Sequence, residues 1–238
     1  MQRSKLARRG FLVMAAGGLL GACGTVREAA RQAQGTPAER IALSGFAAVQ
    51  LQGAARGSAI GFDGTHLLTC AHVLGSAEGL TLRRADGVEV AAQLVGRSPR
   101  MDLAVLRAPE GFLDPARPAL ARLPQSGEAV WAAGAPGLGA AIASGHVEAP
   151  DAEMPGFGRG FTARMPALMG YSGGPVVDGQ GRLLGLTAAL PASGAAGALA
   201  LLTGADLDGM LRRDRQVFVL SYHRAAAEAG RLLGRTAA

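Results

Sequence analysis

From Ile41 onward the chain alternates short apolar runs with Gly, Asp and Pro at intervals of about ten residues, a spacing that predicts many short strands joined by turns. Ala47–Leu51 and Ser58–Phe62 read as strands joined through a glycine-rich turn. After the tight turn at Asp63-Gly64, His66–Thr69 resumes as a third strand. Leu80–Arg83 and Val88–Val95, divided by Ala85-Asp86-Gly87, read as a hairpin, and Leu103–Leu106 as one more short strand. A stretch rich in Pro and Gly, from Pro109 to Gly127, separates this first half from a second. The second half has strands near Ala129–Ala133, Ala140–Val147, Gly160–Arg164, Val176–Val177, Arg182–Ala189 and Ala198–Leu202. Two such halves predict an all-β fold of two packed six-stranded barrels. From about Ala205 to Arg235 the spacing of Leu207, Met210, Leu211, Val217, Leu220, Ala227 and Leu232 is helical, which predicts a C-terminal helix packed on the second barrel.

The pattern ahead of Ile41 is of another kind. Residues 1–22 run from a basic stretch through an apolar run, Phe11 to Leu20, to a small-residue close at Gly21-Ala22. About ten apolar residues are too few to span a bilayer, which takes about 20, and the segment fits a signal peptide. Arg8-Arg9-Gly10-Phe11-Leu12 resembles a twin-arginine export signal, although Ala7 stands where Ser or Thr is usual. Leu20-Gly21-Ala22-Cys23 resembles a bacterial lipobox, in which Cys23 would be lipidated and become the mature N-terminus. The alternative is an ordinary cleavage site with a chance cysteine beside it. Lipidation with more than one acyl chain would give stable membrane anchoring. Residues 23–40, rich in Ala, Gln and Arg, then read as a tether with a helical turn around Val26–Gln34. On this division residues 41–212 form the folded domain and 213–238 the C-terminal helix.

Composition narrows the picture only slightly. Aromatics are scarce and Gly and Ala abundant, so the core is expected to rest on Val, Leu, Ile and Ala. The net charge of +6 owes much to Arg3, Lys5, Arg8 and Arg9 in the leader, which carries no acid. Elsewhere only Arg212, Arg213 and Arg215 cluster, and a solvated helix end explains them better than a nucleic-acid patch. No nucleic-acid partner is expected. With Cys23 lipidated, Cys70 has no intramolecular partner and the fold has no disulfide. Cys70-Ala71-His72 is poor metal spacing with no second cluster to complete four ligands, so Cys70 reads as a small buried residue and no metal or cofactor is expected.

The candidate chemistry lies in three strings: Leu68-Thr69-Cys70-Ala71-His72-Val73, Met101-Asp102-Leu103-Ala104-Val105-Leu106 and Gly170-Tyr171-Ser172-Gly173-Gly174-Pro175. Each alone is common, but the set supplies His72, Asp102 and Ser172 in apolar or glycine-rich settings beside strands. A serine hydroxyl is a poor nucleophile until a neighbouring base takes its proton, and imidazole titrates near working pH. A carboxylate would hold the imidazole in one tautomer and stabilise its charged form. Gly173-Gly174 permit close backbone approach, and the N–H groups of Gly170 and Ser172 are candidates for an oxyanion hole. His66, His146 and His223 lack such surroundings and read as structural or surface residues.

These strings resemble the trypsin-like serine proteases of the chymotrypsin-like fold, and most closely the HtrA/Deg branch of bacterial envelopes. Gly57-Ser58-Ala59-Ile60-Gly61 resembles the branch's Gly-Ser-Gly strand, and His66 to Val73 its segment around the catalytic histidine. Asp102 to Leu106 is similar to its aspartate segment. Gly134-Ala135-Pro136-Gly137-Leu138-Gly139, Ser144-Gly145-His146-Val147 and Gly181-Arg182-Leu183-Leu184-Gly185 also resemble elements of that branch. The resemblance implies a serine endopeptidase acting on unfolded or exported envelope proteins through His72, Asp102 and Ser172, with Gly170 and Ser172 as oxyanion donors. It implies a primary pocket lined by Pro166 and by Leu186, Thr187, Ala188 and Ala189, with no acid and hence a preference for small or medium apolar side chains.

Two differences from the branch bear on regulation. No further domain fits after Ser172, so the PDZ domains common in that branch are not expected, and the oligomeric state is left open. Tyr171 stands where the branch has Asn and digestive proteases have Asp. Arg40-Ile41 resembles a zymogen cleavage site, but Tyr171 offers no acid to a new N-terminal amine, so activation by that salt bridge is not expected. The alternative function is a catalytically latent or silent protein that binds peptides in the barrel cleft.

Overall fold

A register of antiparallel pairs carries most of the architecture. The computed structural model describes residues 35–119, 122–136, 139–167, 169–189 and 215–235. The leader, Cys23, the tether to residue 34, the expected strand Ala198–Leu202 and the first part of the expected terminal helix lie outside the described residues.

The first half opens with helix α1, Pro37–Ser44, then strands β1 Phe46–Leu51, β2 Ala54–Gly61 and β3 His66–Thr69. A 3-10 turn at Ala71–Leu74 precedes β4 Leu80–Arg84, β5 Glu89–Ala91, β6 Gln93–Arg97 and β7 Ala104–Arg107. These form a seven-stranded sheet in the order β5-β4-β1-β2-β3-β7-β6. The single strand expected at Val88–Val95 is broken at Ala92, whose N–H turns to Leu80 O. β5 before the break pairs with β4, and β6 after it pairs with β7. One bent segment therefore supplies both edges of the sheet, which is how six expected strands become seven.

The second half comprises β8 Ala129–Gly134, β9 Ala141–Met154, β10 Gly158–Met165, β11 Pro175–Val177, β12 Leu183–Ala189 and β13 Arg215–Ser221. They close a six-stranded barrel in the order β10-β13-β12-β11-β8-β9. Helix α2, Tyr222–Leu232, follows directly. The terminal helix is thus present but shorter than its spacing predicted, because β13 takes up Val217 and Leu220. The run Val217-Phe218-Val219-Leu220 is fully buried between β10 and β12, and a short continuous apolar run of this kind suits a strand covered on both faces. Tyr222, Ala225, Glu228 and Ala229 form the buried stripe of α2. Gly234, at φ 68°, ends the helix by donating its N–H to Arg231 O.

From Pro37 on, the described chain is one compact unit. Leu68, Leu82, Leu103 and Leu106 are fully buried, each favouring the folded state by about 2 kcal/mol over an exposed position. Helix α1 starts on a proline, which suits the first helical position, and buries Ala38 and Ala42 as it packs on β8, β9 and β11. The Arg40–Ile41 bond therefore lies inside a packed helix. Among the described residues no helix is long and apolar enough to cross a membrane.

Candidate active site

His72 is positioned by strand register. β3 pairs with β7 so that Thr69 lies opposite Ala104. Continued past that pair, the two chains bring His72 level with Met101 and Asp102. The 3-10 turn ends on Gly75 at φ 45° and presents His72 to the aspartate. Asp102 accepts the His72 backbone N–H at 2.9 Å through Oδ1, and its Oδ2 lies 2.5 Å from His72 Nδ1. The carboxylate is 8% exposed and the His72 side chain 40%. A buried acceptor thus fixes a ring that stays accessible.

A side chain 126 residues after Asp102 steadies that loop; it lies on α2, and sequence reasoning missed it. The Ser98 hydroxyl donates to buried Glu228 Oε1 at 2.5 Å and accepts the N–H groups of Arg100 at 3.0 Å and Met101 at 3.3 Å. Glu228 also pairs with Arg231. An acid on the buried stripe of an amphipathic helix was the signal that could have found it.

Cys70 lies beside the pair: its Sγ, a His72 ring nitrogen and an Asp102 oxygen fall within 4.8 Å of one another. Burial, and then the Asp102 charge, push the thiol well above its ordinary range. The thiol points its proton at Thr187 O, 3.4 Å away. A neutral, buried thiol beside an imidazole already paired with its carboxylate is a poor metal-binding set.

The serine loop is held by main chain. Ser172 is half-buried, and its carbonyl accepts the N–H of Ser58 on β2 at 2.7 Å. Any Cβ at Gly57 would meet Ser172 O at 2.8 Å and a Val73 methyl at 2.7 Å, so its absence lets the serine loop and the histidine turn close on the same strand. Gly173 N–H donates to Thr187 O at 2.7 Å, Thr187 N–H to Gly174 O at 2.9 Å, and Gly174 N–H to Tyr171 O at 2.8 Å. Gly170 and Gly173 have φ of 99° and 84°, which L side chains rarely adopt. Among the described residues the N–H groups of Gly170 and Ser172 donate to no acceptor, so both flanking donors are available to a ligand. The Ser172 hydroxyl and His72 likewise make no mutual hydrogen bond in this resting arrangement.

Tyr171, between those donors, is buried among apolar residues of the second barrel, and burial pushes its phenol up to about 12. Its ring lies over Gly134, where a Cβ would come within 2.6 Å of it. The expected pocket residues are divided. Pro166 is exposed just beyond β10, while Leu186 and Ala188 are fully buried in the core. Thr187 serves the serine loop through its backbone, and Ala189 ends β12. The other histidines are elsewhere: His66 pairs with Asp63 at the β2–β3 turn, His146 lies on β9, and His223 on α2 packs edge-on against Tyr222.

Comparison with known proteins agrees with this fold. The family model of the trypsin-like peptidase domain matches residues 55–186. A probable periplasmic serine endoprotease, DegP-like, of Brucella suis biovar 1 is 32% identical over 154 residues, covering 59% of this chain and 29% of its own length. A protein of the same description from Pseudomonas fluorescens is 29% identical over 140 residues, with 58% and 29% covered. The chain thus spans 29% of the length of these relatives. Among solved structures, the HtrA-type protease AlgW with a decapeptide has a TM-score of 0.67 at 19% identity, covering 83% of this chain and 66% of that one. The inactive form of the Rv3671c protease, from M. tuberculosis H37Rv, has a TM-score of 0.63 at 19% identity, with 83% and 93% covered. At such identities the likeness to both is one of fold.

Proposed function

Because the chain belongs to the trypsin-like peptidase domain family, we propose that it is a serine endopeptidase in which Ser172 is the nucleophile, His72 the general base and Asp102 the group that orients and stabilises the imidazole. The observation that carries this reading is the buried Asp102 carboxylate bound twice to His72, beside a serine loop closed on the same strand. With Nδ1 engaged by Asp102, the Nε2 edge of the ring is the one that takes the Ser172 proton as Oγ attacks a peptide carbonyl. The N–H groups of Gly170 and Ser172 receive the oxyanion of the tetrahedral intermediate. His72 then returns the proton to the leaving amine, and water hydrolyses the acyl-enzyme by the same route in reverse.

Substrates are proteins or peptides of the cell envelope, since the DegP-like relatives are described as periplasmic and the AlgW neighbour holds a decapeptide. The exported chain is held at a membrane through lipid on Cys23, the cysteine of Leu20-Gly21-Ala22-Cys23. A Cys23→Ala protein therefore leaves the membrane fraction on cell fractionation; retention there would remove the anchor from this reading. The primary pocket, bounded by Pro166 and the end of β12, favours small or medium apolar residues.

The full chain, treated with a fluorophosphonate and digested for mass spectrometry, should carry the adduct on Ser172, and His72→Ala should lose it. A folded protein that takes up no probe would instead support the second reading, a latent or silent peptide-binding protein, which Tyr171 in place of a polar loop anchor favours.

A further inference from the structure

We infer that Ser58 is a positioning residue for the oxyanion donors, holding from β2 the carbonyls of Gly170 and Ser172, the two residues whose N–H groups are those donors. The inference rests on the endopeptidase reading above. Ser58 is fully buried and uses every polar group it has on this junction. Its N–H donates to Ser172 O at 2.7 Å, and its hydroxyl donates to Gly170 O at 2.8 Å. Its carbonyl accepts the Thr69 hydroxyl at 2.7 Å, and Thr69 ends the strand that leads into His72. A single residue therefore ties the nucleophile's loop to the strand that carries the base.

The hydroxyl matters because Gly170 has no Cβ to bias its conformation. At φ 99° this residue could swing its N–H away from Ser172 at little intrinsic cost. Two donors limit that swing by anchoring the residue on its carbonyl side, where Gly170 O accepts the Ser58 hydroxyl at 2.8 Å and the N–H of Ala135 at 3.2 Å. The Tyr171 side chain, with its ring packed into the second barrel, supplies no polar hold from inside the loop. In the resembling branch an Asn stands at that place; here the polar grip comes from across the junction, out of the other half of the fold.

Ser58→Thr and Ser58→Val test this as a matched pair, since the two side chains have the same branched shape and only Thr keeps the hydroxyl. Two readouts are taken on the full chain. Turnover of a peptide substrate is expected to give kcat about tenfold lower in Ser58→Val than in Ser58→Thr, with KM within about twofold, and a peptidyl aldehyde should weaken by the same factor. Hydrogen exchange of the 169–174 segment should be about tenfold faster in Ser58→Val, with the rest of the first sheet unchanged. Equal exchange in that segment for the two variants overturns the clamp, whether or not the protein turns over substrate. Equal kcat and equal aldehyde affinity in an active enzyme also overturn it. Absence of fluorophosphonate labelling in the unsubstituted chain defeats the endopeptidase reading instead, and the clamp then stands or falls on exchange alone.

Discussion

His72 and Ser172 reach the same junction by different physics. The histidine arm is organised by one side-chain pair, placed by the register of β3 on β7 and completed by the buried Asp102 carboxylate. The serine arm is organised by main chain, with carbonyls of residues 170, 171, 172 and 174 each engaged and two glycines at positive φ. A side-chain pair can be cut by one isosteric substitution while the fold stays intact. The main-chain bonds cannot be removed that way; apart from the Ser58 hydroxyl's hold on Gly170 O, the serine arm breaks only when something is added that does not fit. The two arms should therefore fail differently.

The largest effect belongs to the histidine arm. Asp102→Asn keeps the size of the side chain but presents an amide where Nδ1 needs an acceptor, so the wrong tautomer is favoured. Turnover should fall by about three to four orders of magnitude, with the melting temperature close to that of the original chain. Steady-state kinetics beside a thermal melt decide it, and a loss of less than tenfold would mean that Asp102 is not the orienting group.

The serine arm gives the opposite signature. A Cβ on Gly173 would stand 2.1 Å from Ser58 O and 2.6 Å from Thr69 Oγ1, at a φ that disfavours any L side chain. Gly173→Ala should cost stability and activity together, about 2–4 kcal/mol by denaturant unfolding, with fluorophosphonate labelling reduced in parallel. An alanine variant of unchanged stability would show that the loop has room to move, and the contrast between the arms would lapse.

That same contrast explains what could be read in the sequence. His72, Asp102 and the strands beside them were legible because the pair sits at the ends of short apolar runs whose register can be continued on paper. The bend at Ala92 was not, because Val88–Val95 is one run and only the two different partners of its halves reveal the break. β13 was hidden because Val217 and Leu220 also satisfy helical spacing, and the choice was made by neighbouring strands on both sides. Ser58 could be seen as a strand residue, but its bond to Gly170 joins positions 112 apart and leaves no local pattern. Glu228 was concealed for the same reason, its partner Ser98 being 130 positions away.

The smallest predicted effect tests whether the His–Asp pairing itself carries the chemistry. The first sheet holds a second such pair: His66 Nδ1 lies 2.9 Å from Asp63 Oδ2, at a turn with no serine. Arg235, just past α2, also reaches Asp63 at 2.9 Å, so this carboxylate ties the end of the chain to the β2–β3 turn. Burial alone would raise the Asp63 carboxyl, but the N–H groups of Thr65 and His66, the His66 ring and Arg235 outweigh it and hold it well below the usual aspartate range. A carboxyl depressed in the folded state adds stability that is complete above its unfolded value, about 4, and is lost as pH falls through the folded one. Asp63→Asn should therefore lower stability by about 1 kcal/mol at neutral pH, and the gap to the original chain should narrow as the pH drops below about 4. Its kcat/KM should stay within about twofold, because the pair lies at the β2–β3 turn, where no serine stands beside it. Thermal melts from pH 7 to pH 3, run beside one activity measurement, separate the two pairs: Asp63→Asn changes stability and spares turnover, whereas Asp102→Asn does the reverse. An Asp63→Asn protein that lost activity at full stability would place the chemistry, or a necessary part of it, at the wrong histidine.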